Sequence, residues 1–307
     1  MVVLYEHPEW QKPLWAALER RGLRYTAFDL KRAAFDPEAV PDARLYFNQA
    51  SPSAYVRGNT RAVPLALSMM RCLETSGARV LNGSRAFLLE LSKSAQIALL
   101  QRLGIDHPRS LAFNDREAAL DNWQGGWPAL LKPEQGGSGA RMYLLNSADE
   151  LRRLLRDELT LWLPDNLLLL QQYFPTDPAR GIVRMEFVGG KLLYAMRVVS
   201  HGAFNLCPSE ACNPEGGGAS HCDVPAARPV EFFPYPEVPP EAVAAGERIM
   251  AEGGLDVGGI EYLEAEDGRR IFYDINANSN LRKPIGLAFG FDPFERVVDF
   301  LEHQLQR

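Results

Sequence analysis

Cysteine is scarce, 4 in 307 residues, too few for a disulfide framework in a chain of this size. Positive charge is not in excess either. Against 39 Asp and Glu stand 33 Lys and Arg, a formal net charge of -6, and the basic residues are dispersed along the chain. Without a basic field the chain is a poor partner for a phosphate backbone, so nucleic acid is not the expected ligand. No apolar run approaches the ~18 uninterrupted residues of a membrane span, and the opening MVVLYEHPEW has neither the basic start nor the apolar length of a leader. A cytoplasmic protein with no membrane partner is therefore expected. Internal repeats are missing, and so is any Ser-His-Asp or catalytic-Cys constellation.

What remains is the composition of a globular chain, 46% hydrophobic and 23% charged, long enough for a large core and two or three subdomains. Residues 1–83 alternate apolar strand-like runs (VVLYE, YTAFD, RLYFN, ARVLN) with helical stretches, the pattern of a small parallel α/β domain. Trp10, Trp15, Met69 and Met70 fit helix packing there. From Ser84 to Leu103 the pattern is helical and ends at Gly104, a suitable C-terminal cap. A strand RSLAF, a helix from about Asp115, and strands PALLKP and ARMYLL around a glycine-rich loop follow. A charged helix, SADELRRLLRDEL, then precedes the strands NLLLLQQYF, GIVRMEFV and KLLYAMRVVS. The 201–240 stretch, rich in Gly, Pro, Cys and Asn, reads as a long excursion. It holds His201, Cys207, Cys212, His221 and Cys222, whose spacing matches no paired C-x-x-C motif; a metal site and plain reduced thiols both stay open. The chain ends on a helix PPEAVAAGERIMAEGG, a hairpin, and a last helix PFERVVDFLEHQL.

The hairpin GGIEYLEAEDGRRIFYDINAN carries the first chemical signal. If Asp267-Gly268 is a two-residue loop, Glu261 falls opposite Asp274 and Gly259 opposite Asn276. Glu261, Asp274 and Asn276 then share one face, and Ile260, Tyr262, Tyr273 and Ile275 form the apolar one. Two carboxylates with Cβ atoms ~5 Å apart repel unless a positive charge sits between them. Two carboxylates and an amide suit Mg²⁺, with Mn²⁺ as a second candidate; pairing with Lys or Arg on a solvated face is the alternative. The second signal is LLKPEQGGSGARM: Lys132 ends a strand and Gly136, Gly137 and Gly139 follow, so that backbone N–H groups can converge on an anion beside an ammonium. It is neither a Walker loop nor a Rossmann turn, because it joins two strands.

Lys93 in LSKSAQIALLQRLGIDHPRS, Lys132 with its GGSGAR loop, LLLLQQYF, Arg184 in GIVRMEFVGGKLLYAMR, and GGIEYL with YDINANSNL stand in an order that resembles the ATP-grasp superfamily. The resemblance covers most of 84–307 and is nearest to carboxylate-amine ligases of the ribosomal-modification glutamate ligase type, with glutathione synthetase among their relatives. It implies an α/β (α+β) chain with the ATP-grasp fold. An N-terminal parallel α/β domain (1–83) would precede a central subdomain with the Gly-rich loop (84–165) and a C-terminal subdomain with hinge, metal hairpin and excursion (166–307). It further implies ATP between the subdomains, with Lys93 and Lys132 on its phosphates and the loop residues Gln135, Gly136, Gly137, Ser138 and Gly139 closing over them. Adenine contacts would come from Gln171, Gln172, Tyr173 and Phe174, and Mg²⁺ would be held by Glu261, Asp274 and Asn276. Arg184 matches a family arginine near the transferred phosphoryl group. In such ligases a carboxylate becomes an acyl phosphate that an amine captures.

Departures from the family pattern are the exchanged lengths of Glu261 and Asp274, Gln172 where the hinge usually has Glu, Ile182 where Asp often precedes the arginine, and Ser279-Asn280-Leu281 after the metal Asn. The last suggests an altered substrate site. Arg197 is a further candidate for the phosphates or an acidic substrate, and equally a surface charge. Asn205, Asn278 and Asn280 are candidate substrate amides, against turn chemistry. Arg282, with Lys283 beside it, is a candidate for a substrate carboxylate, against solvated charge. The expected function is ATP-dependent ligation of a small-molecule carboxylate to an amine, on an amino acid or small peptide, with a homodimer or homotetramer left open. A small-molecule kinase and a non-catalytic nucleotide-binding regulator are the alternatives.

Overall fold

The computed structural model describes residues 1–39, 42–137, 139–200, 230–279 and 281–307. Ser138, Asn205, Asn280 and the His201, Cys207, Cys212, His221 and Cys222 group lie outside them.

Short runs of β-branched and aromatic residues build the first layer: β1 (Val2–Tyr5), β2 (Thr26–Asp29), β3 (Tyr46–Gln49) and β4 (Val80–Leu81), with helices α1 (Pro8–Arg20) and α2 (Ala62–Thr75) between them. All pairings are parallel, in the order β2-β1-β3-β4, as the alternation in the sequence requires. Met69 and Met70 are fully buried in the α2 core.

The helical stretch from Ser84 is two helices, α3 (Ser84–Leu91) and α4 (Lys93–Leu103), where the sequence pattern suggests one. Ser92 divides them: its backbone is extended, and its hydroxyl accepts from Ala95 N–H to cap α4. Gly104, at φ +64°, closes α4 as expected. The second layer consists of β5 (Ser110–Phe113), α5 (Arg116–Asn122), β6 (Ala129–Pro133), β7 (Tyr143–Leu145), α6 (Ala148–Asp157) and β8 (Leu168–Gln172), in a sheet ordered β5-β8-β6-β7.

The third comprises β9 (Ile182–Val188), β10 (Lys191–Val199), β11 (Glu231–Pro234), α7 (Pro240–Gly253), β12 (Val257–Glu264) and β13 (Arg270–Asn276), an antiparallel sheet ordered β11-β10-β9-β12-β13. Helices α8 (Lys283–Ala288) and α9 (Pro293–Leu305) finish the chain. Two placements cross the boundaries drawn from sequence. Strand β8 belongs to the second sheet although it follows residue 165, and Ala86, Leu99 and Leu100 of α3 and α4 pack into the core of the third.

That core tolerates no added volume at Gly246 on α7, where a Cβ would lie 2.3 Å from Cζ of the fully buried Phe187. Helix propensity alone favours Ala over Gly by about 1 kcal/mol, so Gly246→Ala isolates the packing contribution. A net loss of about 1–2 kcal/mol is expected in chemical denaturation. Neutral or higher stability would show that the ring can yield.

The hairpin has the predicted pairing at its polar end and a different turn. Gly259 faces Asn276, Ile260 faces Ile275 and Glu261 faces Asp274, but beyond them Tyr262 pairs with Phe272 and Glu264 with Arg270. The loop has three residues, 266–268, with Gly268 at φ +84°, and a bulge at Tyr273 absorbs the resulting one-residue offset. The bulge corrects one assignment: Phe272, not Tyr273, joins Ile260, Tyr262 and Ile275 in the core.

Candidate active site

The three layers meet around a cavity of about 600 Å³. At one end Lys132 closes β6, buried, with Nζ donating to Gln171 Oε1 (2.8 Å); Gln171 in turn donates to Ser110 Oγ (2.9 Å). Burial, and then the neighbouring Lys93 ammonium, lower the Lys132 pKa to about 8. Lys93 opens α4 and donates to Asp274 Oδ1. Glu134 brings the two lysines together: just past Lys132, it accepts from Ser92 Oγ (2.6 Å) and Ser94 N–H (3.0 Å), tying the end of β6 to the start of α4.

The glycine-rich loop leans on the N-terminal layer. Gln135 N–H donates to Asp165 Oδ2 (3.0 Å) and its side-chain amide to Pro52 O (3.3 Å). At Gly137 a Cβ would stand 2.5 Å from Ser53 Cβ and 2.7 Å from its Cα, so only glycine allows this approach. Gly136 lies against Lys93 Cε, and Gly139 has φ +70°. Gln172, Tyr173 and Phe174 line the cavity beyond β8.

Opposite the lysines are the acids. Glu261 Oε1 accepts from Arg184 Nη1 (2.7 Å) and Oε2 from the Tyr273 hydroxyl (2.8 Å), which the bulge has turned to this face. Arg184 also donates through Nε to the fully buried Glu186 (2.6 Å). Burial raises the Glu261 pKa, and Asp274 adds to the rise against the opposing pull of Arg184. For Asp274 burial acts upward too, but the Lys93 ammonium outweighs it and holds the carboxyl below its ordinary range. Arg184 is held firmly protonated by Glu186 and Glu261 despite its burial.

Asn276 donates to Asp274 Oδ2 (3.0 Å) and weakly to Gly259 O (3.4 Å), and among the described residues no donor reaches its Oδ1. Two carboxylates with an amide oxygen beside them, facing a cavity, fit a hard divalent cation. Among the described residues no three His, Cys, Asp or Glu side chains group as a metal site, so the amide has to complete the set.

No family model matches the chain. It is 28% identical over 264 residues to the tetrahydromethanopterin:alpha-L-glutamate ligase of Methanosarcina acetivorans, covering 81% of this chain and 78% of that one. A probable alpha-L-glutamate ligase of Teredinibacter turnerae is 26% identical over 271 residues, 87% of this chain and 79% of the relative. The crystal structure of a RimK domain ATP-grasp protein from Sphaerobacter thermophilus superposes with a TM-score of 0.70 at 18% identity, over 98% of this chain and 99% of that one. The chain has the ATP-grasp fold, and the relatives it resembles in sequence are glutamate ligases.

Other candidates sit elsewhere in this ATP-grasp frame. Arg197 is paired with Val183, one position off the Met196–Arg184 pair, so it emerges on the opposite face of the sheet. There it meets Glu264 (3.0 Å) and covers the Tyr235 ring, away from the cavity. Arg282 lies 3.3 Å over the Phe232 ring, and Lys283 pairs with Asp292 (2.9 Å). Asn278 does line the cavity, with its amide donating to Gln49 O (3.0 Å). Sequence reasoning missed Glu134, Glu186, Tyr273 and Glu90. The Arg184-x-Glu186 alternation was a readable sign of two side chains sharing a strand face; nothing local announced the bulge or the tertiary contacts of Glu134 and Glu90.

Among the described residues no helix is long and apolar enough to cross a membrane.

Proposed function

We propose that this ligase joins the carboxylate of one small molecule to the amine of another, an amino acid or small peptide, through an acyl phosphate, with ADP and phosphate as co-products. We place it in the cytoplasm, where ATP is available. The observation that carries the reading is the convergence of Lys93, Lys132, Arg184, Glu261, Asp274 and Asn276 on one cavity. Lys93 and Lys132 neutralise the nucleotide phosphates, and the backbone of Gln135, Gly136, Gly137, Ser138 and Gly139 covers them. Gln172, Tyr173 and Phe174 take the adenine, whereas Gln171 acts through Lys132. Glu261, Asp274 and Asn276 would hold Mg²⁺, or Mn²⁺ in its place, which when bound neutralises charge on the phosphates. Arg184 stabilises charge at the transferred phosphoryl group, and phosphoryl transfer needs such positioning more than a side-chain nucleophile. Asn278, at the cavity wall, would bind substrate, and Asn205 and Asn280 belong to the same proposal.

The test is incubation with ATP, Mg²⁺ and a pool of the twenty amino acids, glutamate first since the named relatives are glutamate ligases. Mass spectrometry should show a condensed product, with ADP release that depends on the amine. ADP release independent of any amine, with a phosphorylated product, would make it a kinase.

Lys132 gives this reading a pH signature. With its pKa near 8, the cation that faces phosphate is lost above that pH, so the KM for ATP should rise between about pH 7 and 9. The always-charged Lys132→Arg should flatten the rise. Stability should move the other way. The unfolded chain keeps this proton to about pH 10.4, so the folded state gains from the neutral amine between about pH 8 and that value. A flat KM profile in the wild type would contradict the assignment.

A further inference from the structure

Glu90 is 4% exposed, lines the cavity and lies in the last turn of α3, where backbone carbonyls favour a cation rather than an anion. Its Oε1 receives only a long contact from Asn278 N–H (3.4 Å), and its Oε2 is buried with no hydrogen-bond partner. The neighbouring cations are engaged elsewhere, Lys93 with Asp274 and Arg184 with Glu186 and Glu261. Burial raises the Glu90 pKa to about 8, so at neutral pH it ionises only if a ligand brings the positive charge and the donors that it lacks. Phosphate oxygens cannot bring these, being negatively charged acceptors. A protonated amine can, since it brings both a positive charge and N–H donors.

We infer that Glu90, beside Asn278, is the binding residue for the ammonium group of the amino acid that serves as the amine in this ligase. The inference rests on the ligase reading and adds which chemical group of which substrate the Glu90 corner of the cavity takes. The position agrees with this role, because Asn278 lines the same cavity and also bonds Gln49 O of the N-terminal layer, which fixes the Glu90 corner at the cavity wall.

The two half-reactions separate the proposals. Wild type, Glu90→Gln and the shorter Glu90→Asp are each given ATP, Mg²⁺ and the pool of twenty amino acids, with and without hydroxylamine, a neutral amine that traps an acyl phosphate as a hydroxamate. In Glu90→Gln, amide formation at low pool concentration should fall at least tenfold more than hydroxamate formation, and should recover as the pool is raised. Glu90→Asp should lie between Gln and wild type. The Mg²⁺ concentration for half-maximal hydroxamate formation should stay within twofold. Equal losses of amide and hydroxamate, no loss in either, or a shifted Mg²⁺ requirement would overturn the assignment of Glu90 to the amine. Hydroxamate without any amide in wild type would show that the amine is not an amino acid and would overturn it too. Neither product in wild type would overturn the ligase reading itself, and this inference with it.

Discussion

Asp274→Asn and Glu261→Gln should each lower Mg²⁺-dependent turnover by about two orders of magnitude or more, with the fold intact. Each exchange is isosteric and removes one of the two full negative charges that face each other across β12 and β13. The two differ in what else they disturb. Asp274→Asn takes the partner from Lys93, whose ammonium then turns wholly to phosphate, so kcat should fall further than ATP affinity. Glu261→Gln leaves Arg184 with Glu186 and removes a carboxylate whose ionisation burial and Asp274 already oppose. In EDTA Glu261→Gln should melt close to wild type, because burial and Asp274 already oppose the ionisation of Glu261, whereas Asp274→Asn, which leaves the buried Lys93 ammonium without its partner, should melt lower. What should disappear is the rise in melting temperature that Mg²⁺ gives the wild type by binding the native state alone. Near-wild-type turnover in both variants would end the metal assignment.

This pair is also where the sequence was most and least informative. The opposition of Glu261 and Asp274 follows from period-two alternation and a Gly-containing turn, and the structure has it. Yet the two-residue turn behind that arithmetic is absent: the loop has three residues, and the bulge at Tyr273 restores the register only at the functional end. A bulge depends on where a strand packs, not on a local residue pattern, so the turn of the Tyr273 hydroxyl toward Glu261 could not be read in advance. The parallel N-terminal sheet and the Lys132 strand were legible because apolar period and glycine placement are local properties. The contacts of Glu90 and Glu134 were not, because they are made between residues about forty to two hundred positions apart. Arg197 shows the limit from the other side. A strand arginine near the right segment has two faces to choose from, and only the pairing of Arg197 with Val183 decides.

Arg184→Met should be the most damaging single change, for two separable reasons. Arg184 stands between the buried carboxylates of Glu186 and Glu261, and its removal leaves both without their cation. Breaking one side of such a cluster costs about 3–5 kcal/mol, most of it the penalty of uncompensated buried charge. Neutralising both acids removes the uncompensated buried charge, so the triple variant Arg184→Met, Glu186→Gln, Glu261→Gln should recover much of the lost melting temperature. Activity should not recover with it. If Arg184 stabilises the charge of the transferring phosphoryl group, turnover in the triple variant stays well below that of the double variant Glu186→Gln, Glu261→Gln, since an aimed cation has no substitute in that cavity. Arg184→Lys supplies the control: it keeps one charge but cannot bridge Glu186 and Glu261 with two directed N–H groups. It should therefore retain more stability than Arg184→Met at low activity. A stable triple variant that turns over as fast as the double variant Glu186→Gln, Glu261→Gln would reduce Arg184 to a strut between two acids, and the phosphoryl-stabilising role would have to pass to Lys132 and Lys93 alone.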